Sequence, residues 1–256
     1  MVCRVTGISL LGHVAAATAA LVAGGVNAIA GGGTLISFPV LTAIGVPTVQ
    51  ANATNTVSLC PGYIGGTWAQ RDDLHGIGRQ LRPEIIAAGF GGLAGSILLI
   101  TTSDAVFRQI VPYLILIACA LLAGQNRMRA WLNARGAQRS HPAAQVSAIG
   151  LAAVYGGYFG AGLGIMIVAV LGLLSDRPFI QLNAVKQLLS FVINISAAAF
   201  LTFSGRVEWT LVAVMAPAAL IGGNLGGRLA RSLPAERLRP CVIAFGVVVA
   251  IVYLLK

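Results

Sequence analysis

Charge is scarce in this chain. Only 9% of its 256 residues are charged, against roughly 25% in an average soluble domain, which excludes a water-exposed surface over most of its length. Seven residues are acidic, and of the basic ones only Lys186 and Lys256 are lysines. No G-x-x-x-x-G-K-[ST] run occurs, so an ATP-driven pump within this chain is excluded. No cluster of His, Cys and acidic side chains has metal-ligand spacing, and neither a metal nor another cofactor is expected. The four cysteines, Cys3, Cys60, Cys119 and Cys241, lie far apart without C-x-x-C spacing, three of them inside apolar segments, and read as small core residues. No set of nucleophile, base and acid can be named, so the chain is not expected to be an enzyme.

What is abundant is apolar. Hydrophobic residues make up 57% of the chain and the mean hydropathy is +0.86. Several stretches approach or exceed the roughly 18 residues that mark a membrane-spanning helix, which predicts an all-α integral membrane protein. The net charge of +10 would suggest nucleic acid as the partner of a soluble chain. Here the arginines stand between apolar segments, as in the cytoplasmic loops of membrane proteins. The expected partner is therefore the lipid bilayer of the cell membrane, with no nucleic acid.

The chain repeats itself at a single offset without gaps. Gly25 falls on Gly156, Gly31 on Gly162, Gly33 on Gly164, Pro47 on Pro178, Gln50 on Gln181, Asn52 on Asn183 and Ala53 on Ala184. Gly91, Gly92 and Gly95 then fall on Gly222, Gly223 and Gly226, and Arg108 on Arg239. Chance matches would scatter over many offsets, so the chain is a duplication. Residues 1–125 form the first transmembrane repeat, 126–142 a basic linker with Arg127, Arg129, Arg135 and Arg139, and 143–256 the second repeat.

Five apolar segments are expected per half. In the first they run near 8–30, 34–45, 49–68, 84–102 and 105–125, and in the second near 144–160, 163–174, 179–204, 208–230 and 237–255. The segment at 34–45 is short of a full span and predicts a half-helix or a short tilted crossing. Met1 to Gly25 also resembles a signal peptide, but the repeat needs this segment as the partner of 144–160, so it reads as the first membrane helix. Gly91-x-x-x-Gly95 and Gly222-x-x-x-Gly226 have the spacing of close helix packing.

Equivalent loops carry opposite charge bias. The loop at 70–83 is rich in arginine, while at its counterpart Arg206 is balanced by Glu208; the loop at 102–106 has Asp104, while its counterpart is flanked by Arg228, Arg231, Arg237 and Arg239. The positive-inside rule then puts equivalent loops on opposite faces. That needs an odd number of crossings per half and predicts two inverted repeats with both termini outside.

Candidate site residues follow from the breaks. Gly31-Gly32-Gly33 interrupts the first helix, and Gly160, Gly162 and Gly164 interrupt its counterpart. Irregular backbone at membrane depth persists only when buried in protein or lining a wet cavity, and two matched breaks point to a transport site near the midplane. The helix restarting at Thr34 presents a positive end suited to an anion. Lys186 lies about eight residues inside its apolar segment, roughly 12 Å at helical rise, and an intramembrane charge is a functional-site hypothesis by default. Asn52, Thr54, Asn55, Asn183 and Gln187 would add neutral hydrogen bonds to the oxygens of a bound anion. Each glycine or amide taken alone is equally well explained by helix packing.

The Gly31-Gly32-Gly33-Thr34 break, Pro39, Gly45, Ala53-Thr54-Asn55 and the matched Asn183-Ala184-x-Lys186 resemble the sulfite exporter TauE/SafE family of membrane permeases, over essentially the whole chain. The resemblance implies secondary transport of a small sulfur-containing or carboxylated anion, such as sulfite or an organosulfonate. It also implies eight or nine helices, where the segment count gives ten. An anion channel and a non-transporting membrane subunit or sensor remain open as alternatives, as does assembly as a homodimer.

Overall fold

The computed structural model describes residues 7–29, 31–74, 77–78, 80–134, 142–175, 179–229 and 235–255. Among the described residues there are ten α-helices and no strand. The first half holds α1 (Leu10–Ile29), α2 (Thr34–Ala43), α3 (Thr48–Ala69), α4 (Arg82–Thr101) and α5 (Asp104–Ala134). The second holds α6 (Pro142–Tyr158), α7 (Leu163–Leu174), α8 (Phe179–Thr202), α9 (Trp209–Leu229) and α10 (Ala235–Leu254). Five of these, α1, α4, most of α8, α9 and the first part of α5, are long and apolar enough to cross a membrane. The expected all-helical membrane protein is the fold observed.

Proline and glycine set many of the ends. Pro47 precedes α3, Pro83 stands in the first turn of α4 and Pro142 opens α6, all positions where the missing N–H costs nothing. One boundary differs from expectation. Residues 126–134 of the basic linker are the last turns of α5 and Pro142 belongs to α6, because nothing between Gln125 and Ala134 breaks a helix. The rest of the linker lies outside the described residues, as do Met1 to Thr6 and Lys256.

α2 has 10 residues and α7 has 12, about 15 and 18 Å of helix. Each doubles back along its predecessor: a Cβ on Gly33, before α2, would strike the Ala23 carbonyl of α1, whereas at the far end a Cβ on Gly12 would lie 3.8 Å from Ile44. α2 thus returns the chain to the side where α1 began, and α3 sets out in the same direction as α1.

The packing is crosswise. α1 lies mainly on α9 and α4 on α6, α3 packs on both α8 and α9, and α5 on α10. Exchanging the halves reproduces this pattern of neighbours. Small residues make the closest seams: Gly222 and Gly226 face the backbone of Leu21 and Gly25, and Gly91 and Gly95 face that of α6 from Gly150 to Tyr158. A Cβ at any of these four would overlap carbonyl oxygens, which gives the G-x-x-x-G spacing its physical content. Equivalent helices at the centre run antiparallel. Gln70 bonds Asn183, Thr67 bonds Gln187 and Tyr63 bonds Asn194, so numbers rise along α3 as they fall along α8. α5 and α10 do the same, with Cys119 against Ile243 and Arg108 near Tyr253.

Candidate functional site at the crossed glycine breaks

The two breaks meet. A Cβ on Gly31 would lie 3.3 Å from the Gly164 Cα, and a Cβ on Gly164 would lie 3.3 Å from the Gly31 Cα. A Cβ on either glycine would be tighter than ordinary van der Waals contact, so the approach favours glycine on both segments. Gly31 has φ +82° and Gly162 has φ +74°, left-handed values that glycine adopts without the steric cost a Cβ brings. Gly162 then caps α7, while the turn before α2 is held by Asn27, whose Oδ1 accepts the Gly33 N–H at 2.7 Å. Asn27 is a site residue that the sequence reading missed; its signal was an amide at the buried end of an otherwise apolar helix.

Lys186 reaches this crossing. Its side chain is 4% exposed, and the Cδ is 3.3 Å from where a Gly164 Cβ would stand. The methylene stem therefore runs over the second break, and the absence of a side chain at 164 makes room for it. Asn52, on α3, donates from Nδ2 to the Tyr158 carbonyl at 2.7 Å. That bond satisfies one of the open carbonyls at the end of α6 and ties the first half's polar helix to the second half's break.

Other expected residues lie around this centre. Gly32 faces Leu122 and Val242, and Gly162 faces Ala118, so α5 backs both breaks and α10 backs the first. Thr34 and Asn55 are buried. Gln187 packs against Gly66, where a Cβ would overlap its amide. Two residues face elsewhere: the Thr54 hydroxyl accepts the Glu208 N–H at 2.9 Å beneath the α8–α9 loop, and Asn183 donates to Gln70 Oε1 at the other end of α3.

The buried polar groups are incompletely matched. Asn52 Oδ1, Asn55 Oδ1, Ser58 Oγ and both amide atoms of Gln187 have no hydrogen-bond partner among the described residues. Buried polar groups are nearly always hydrogen-bonded, so these atoms mark places for water or a ligand. Among the described residues no three His, Cys or acidic side chains stand together as a metal site.

On one side the centre is closed by aromatic rings. Phe38 on α2 meets Phe159, in the second break, at 5.4 Å and Phe107 on α5 at 6.3 Å, both edge-on, and it stacks on Tyr253 at 6.5 Å. Beyond the rings, Asp104 accepts the Val49 N–H at 2.9 Å and the Thr48 hydroxyl at 3.2 Å. Its other oxygen is 3.7 Å from Arg206.

Paired broken helices, crossing at backbone contact beside a buried lysine, define an integral membrane protein built around its helix breaks. The chain belongs to the sulfite exporter TauE/SafE family, whose model matches residues 16–253. Relatives are similar in sequence over nearly full length. A "Probable membrane transporter protein ORF9" of Sinorhizobium sp is 26% identical over 234 residues, 91% of this chain and 88% of that one. The "Probable membrane transporter protein YfcA" of Escherichia coli K12 is 26% identical over 238 residues, 90% of this chain and 85% of that one. A "Probable membrane transporter protein" of Haemophilus influenzae is 26% identical over 231 residues, 87% and 86% of the two chains. No solved structure matches the chain.

Proposed function

We propose that this protein is a secondary transporter of the plasma membrane that moves a small anion, sulfite or a related organosulfonate or carboxylate, and that its substrate binds where the two glycine breaks cross. The observation that carries the reading is the position of Lys186, a buried cation whose stem lies on Gly164 at the crossing. A buried ammonium on α8, with buried amides on α3 and α8 that keep unused hydrogen-bonding atoms, suits an oxyanion. The family's name supplies the sulfite class.

The two halves are proposed to be inverted in the membrane. Equivalent helices α3 and α8 run antiparallel, as do α5 and α10, which supports an inverted repeat over a repeat about the membrane normal. Alternating access then follows from rocking of two bundles about the central site. Because packing is crosswise, those bundles are mixed: α1 to α3 with α9, and α6 to α8 with α4.

The test is a thermal-shift screen of purified protein against sulfite, sulfate, thiosulfate, taurine, sulfoacetate and simple carboxylates, followed by counterflow of the labelled hit in proteoliposomes. Selective stabilisation with counterflow supports a carrier. Conductance without counterflow would make it a channel, and no response to any anion would overturn the reading.

A further inference from the structure

A second cavity lies on the far side of the aromatic rings. It has a volume of about 450 Å³ and is bounded by the ends of α2 and α10 and the starts of α3 and α5. That is within the usual range for small-molecule pockets and is several times what a bare sulfite needs. Its walls are mostly apolar, with Val46 and Val252, and its polar groups are Thr42, Thr48, Tyr253 and Arg108, with Asp104 at the edge.

One acid, Asp104, and one base, the exposed Arg108, line the cavity, and they are not paired with each other. Asp104 turns one oxygen to the start of α3 and the other to Arg206. Arg108 makes no ion pair among the described residues, and its charge is felt by the Tyr253 hydroxyl, which donates to Thr42 at 2.6 Å. Arg108 is also the arginine that the duplication kept, as Arg239. Tyr253 stacks on Phe38 and Phe38 meets Phe159, so ring contacts run from the wall of the cavity to the second break.

We infer that this cavity is an anion-binding vestibule distinct from the central site, in which the Arg108 guanidinium holds an oxyanion head while Val46 and Val252 cover a short apolar body; the Thr42 and Thr48 hydroxyls donate to the Pro39 carbonyl and to Asp104 and take no part. The chemistry is that of an alkanesulfonate, an alkyl carboxylate or the headgroup of an anionic lipid. As a vestibule it rests on the transport reading; as a binding site it does not.

The experiment places a reporter thiol in the cavity. Ala105 lines it and is exposed, so Ala105→Cys is made in a full-length chain whose four natural cysteines are replaced, and its rate of reaction with a neutral maleimide is measured. In phosphatidylcholine vesicles, millimolar propane-1-sulfonate is expected to slow labelling at least threefold. Arg108→Gln should remove that protection, read as the ratio of the rates with and without anion in each variant because the guanidinium one turn away also sets the thiol's own reactivity, and Arg108→Lys should restore part of it. Lys186→Gln should leave it intact, which separates this site from the central one. Protection by added phosphatidylglycerol but not by the sulfonate assigns the site to a lipid headgroup. No protection by either, or equal protection in Arg108→Gln, overturns the inference.

Discussion

Gly31 and Gly164 touch across the duplication, backbone to backbone, with 3.3 Å between either Cα and the place of a Cβ on the other. Neither residue is the repeat equivalent of the other, since Gly31 falls on Gly162 and Gly33 on Gly164. The breaks are therefore staggered, each first glycine turning the chain and one second glycine receiving the opposite strand.

Alanine at these positions should act through different contacts. At Gly33 a Cβ would run into the Ala23 carbonyl, and at Gly164 it would press on Gly31 and the Lys186 stem. At Gly31 and Gly162 it would meet a left-handed backbone, which costs a non-glycine residue about 1–2 kcal/mol. Gly164→Ala is expected to insert normally and lose most substrate affinity, while Gly33→Ala is expected to lower the yield of folded protein; ligand-binding and size-exclusion profiles check both.

Lys186→Gln should reduce anion affinity with unchanged membrane insertion. Losing a hydrogen bond to a charged group costs about 1.5–3 kcal/mol, on the order of ten- to a hundredfold in Kd. Lys186→Arg should also weaken binding, because a planar fork replaces a compact ammonium beside Gly164, where the stem is closely packed. Titration of the best anion from the thermal-shift screen measures both; unchanged affinity in Lys186→Gln would remove the lysine from the site.

Asn27→Ala should destabilise the protein by about 1–3 kcal/mol, the cost of leaving a buried N–H unpaired, because the Asn27 side chain is the acceptor for Gly33 N–H. Thermal unfolding in detergent measures it. A wild-type Tm would mean that water replaces the amide.

How the residues read in sequence differs from how they stand in space for a physical reason. The ten segments, the short α2 and the seams at Gly91 and Gly222 were legible because apolar runs, breaks and glycine spacing are local. Which way a polar residue on α3 faces was not. Successive residues on a helix point about 100° apart, and α3 is enclosed by α1, α2, α8 and α9, so Asn52 turns to the break while Thr54 turns to the loop before α9. Asn27 was hidden because its role depends on a turn six residues later. The length of α5 was hidden because a charged helix and a charged loop have the same composition.

Asp104→Ala should cost more than Arg206→Ala. The ion pair between them is 3.7 Å long and nearly half exposed on both sides, and such pairs contribute about 0–1 kcal/mol. Asp104 also receives the first free N–H of α3, and losing a helix cap costs typically about 1 kcal/mol. Paired unfolding curves of the two variants decide it; equal losses would put the stability in the ion pair.

Topology can be checked at Gly78 and Arg206, both exposed. In a chain without other cysteines, Arg206→Cys should react with an impermeant reagent added outside and Gly78→Cys should not. Reaction of both from one side would exclude inverted halves.

The partner of α1 is α9, and that arrangement reaches back into how the protein is made. Between the end of α1 at Ile29 and the end of α9 at Leu229 a ribosome adds roughly 200 residues, on the order of 10–40 s of synthesis. Throughout that interval Gly24 and Gly25 lack the α9 backbone they pack on in the finished fold, so α1 is made long before it finds its place.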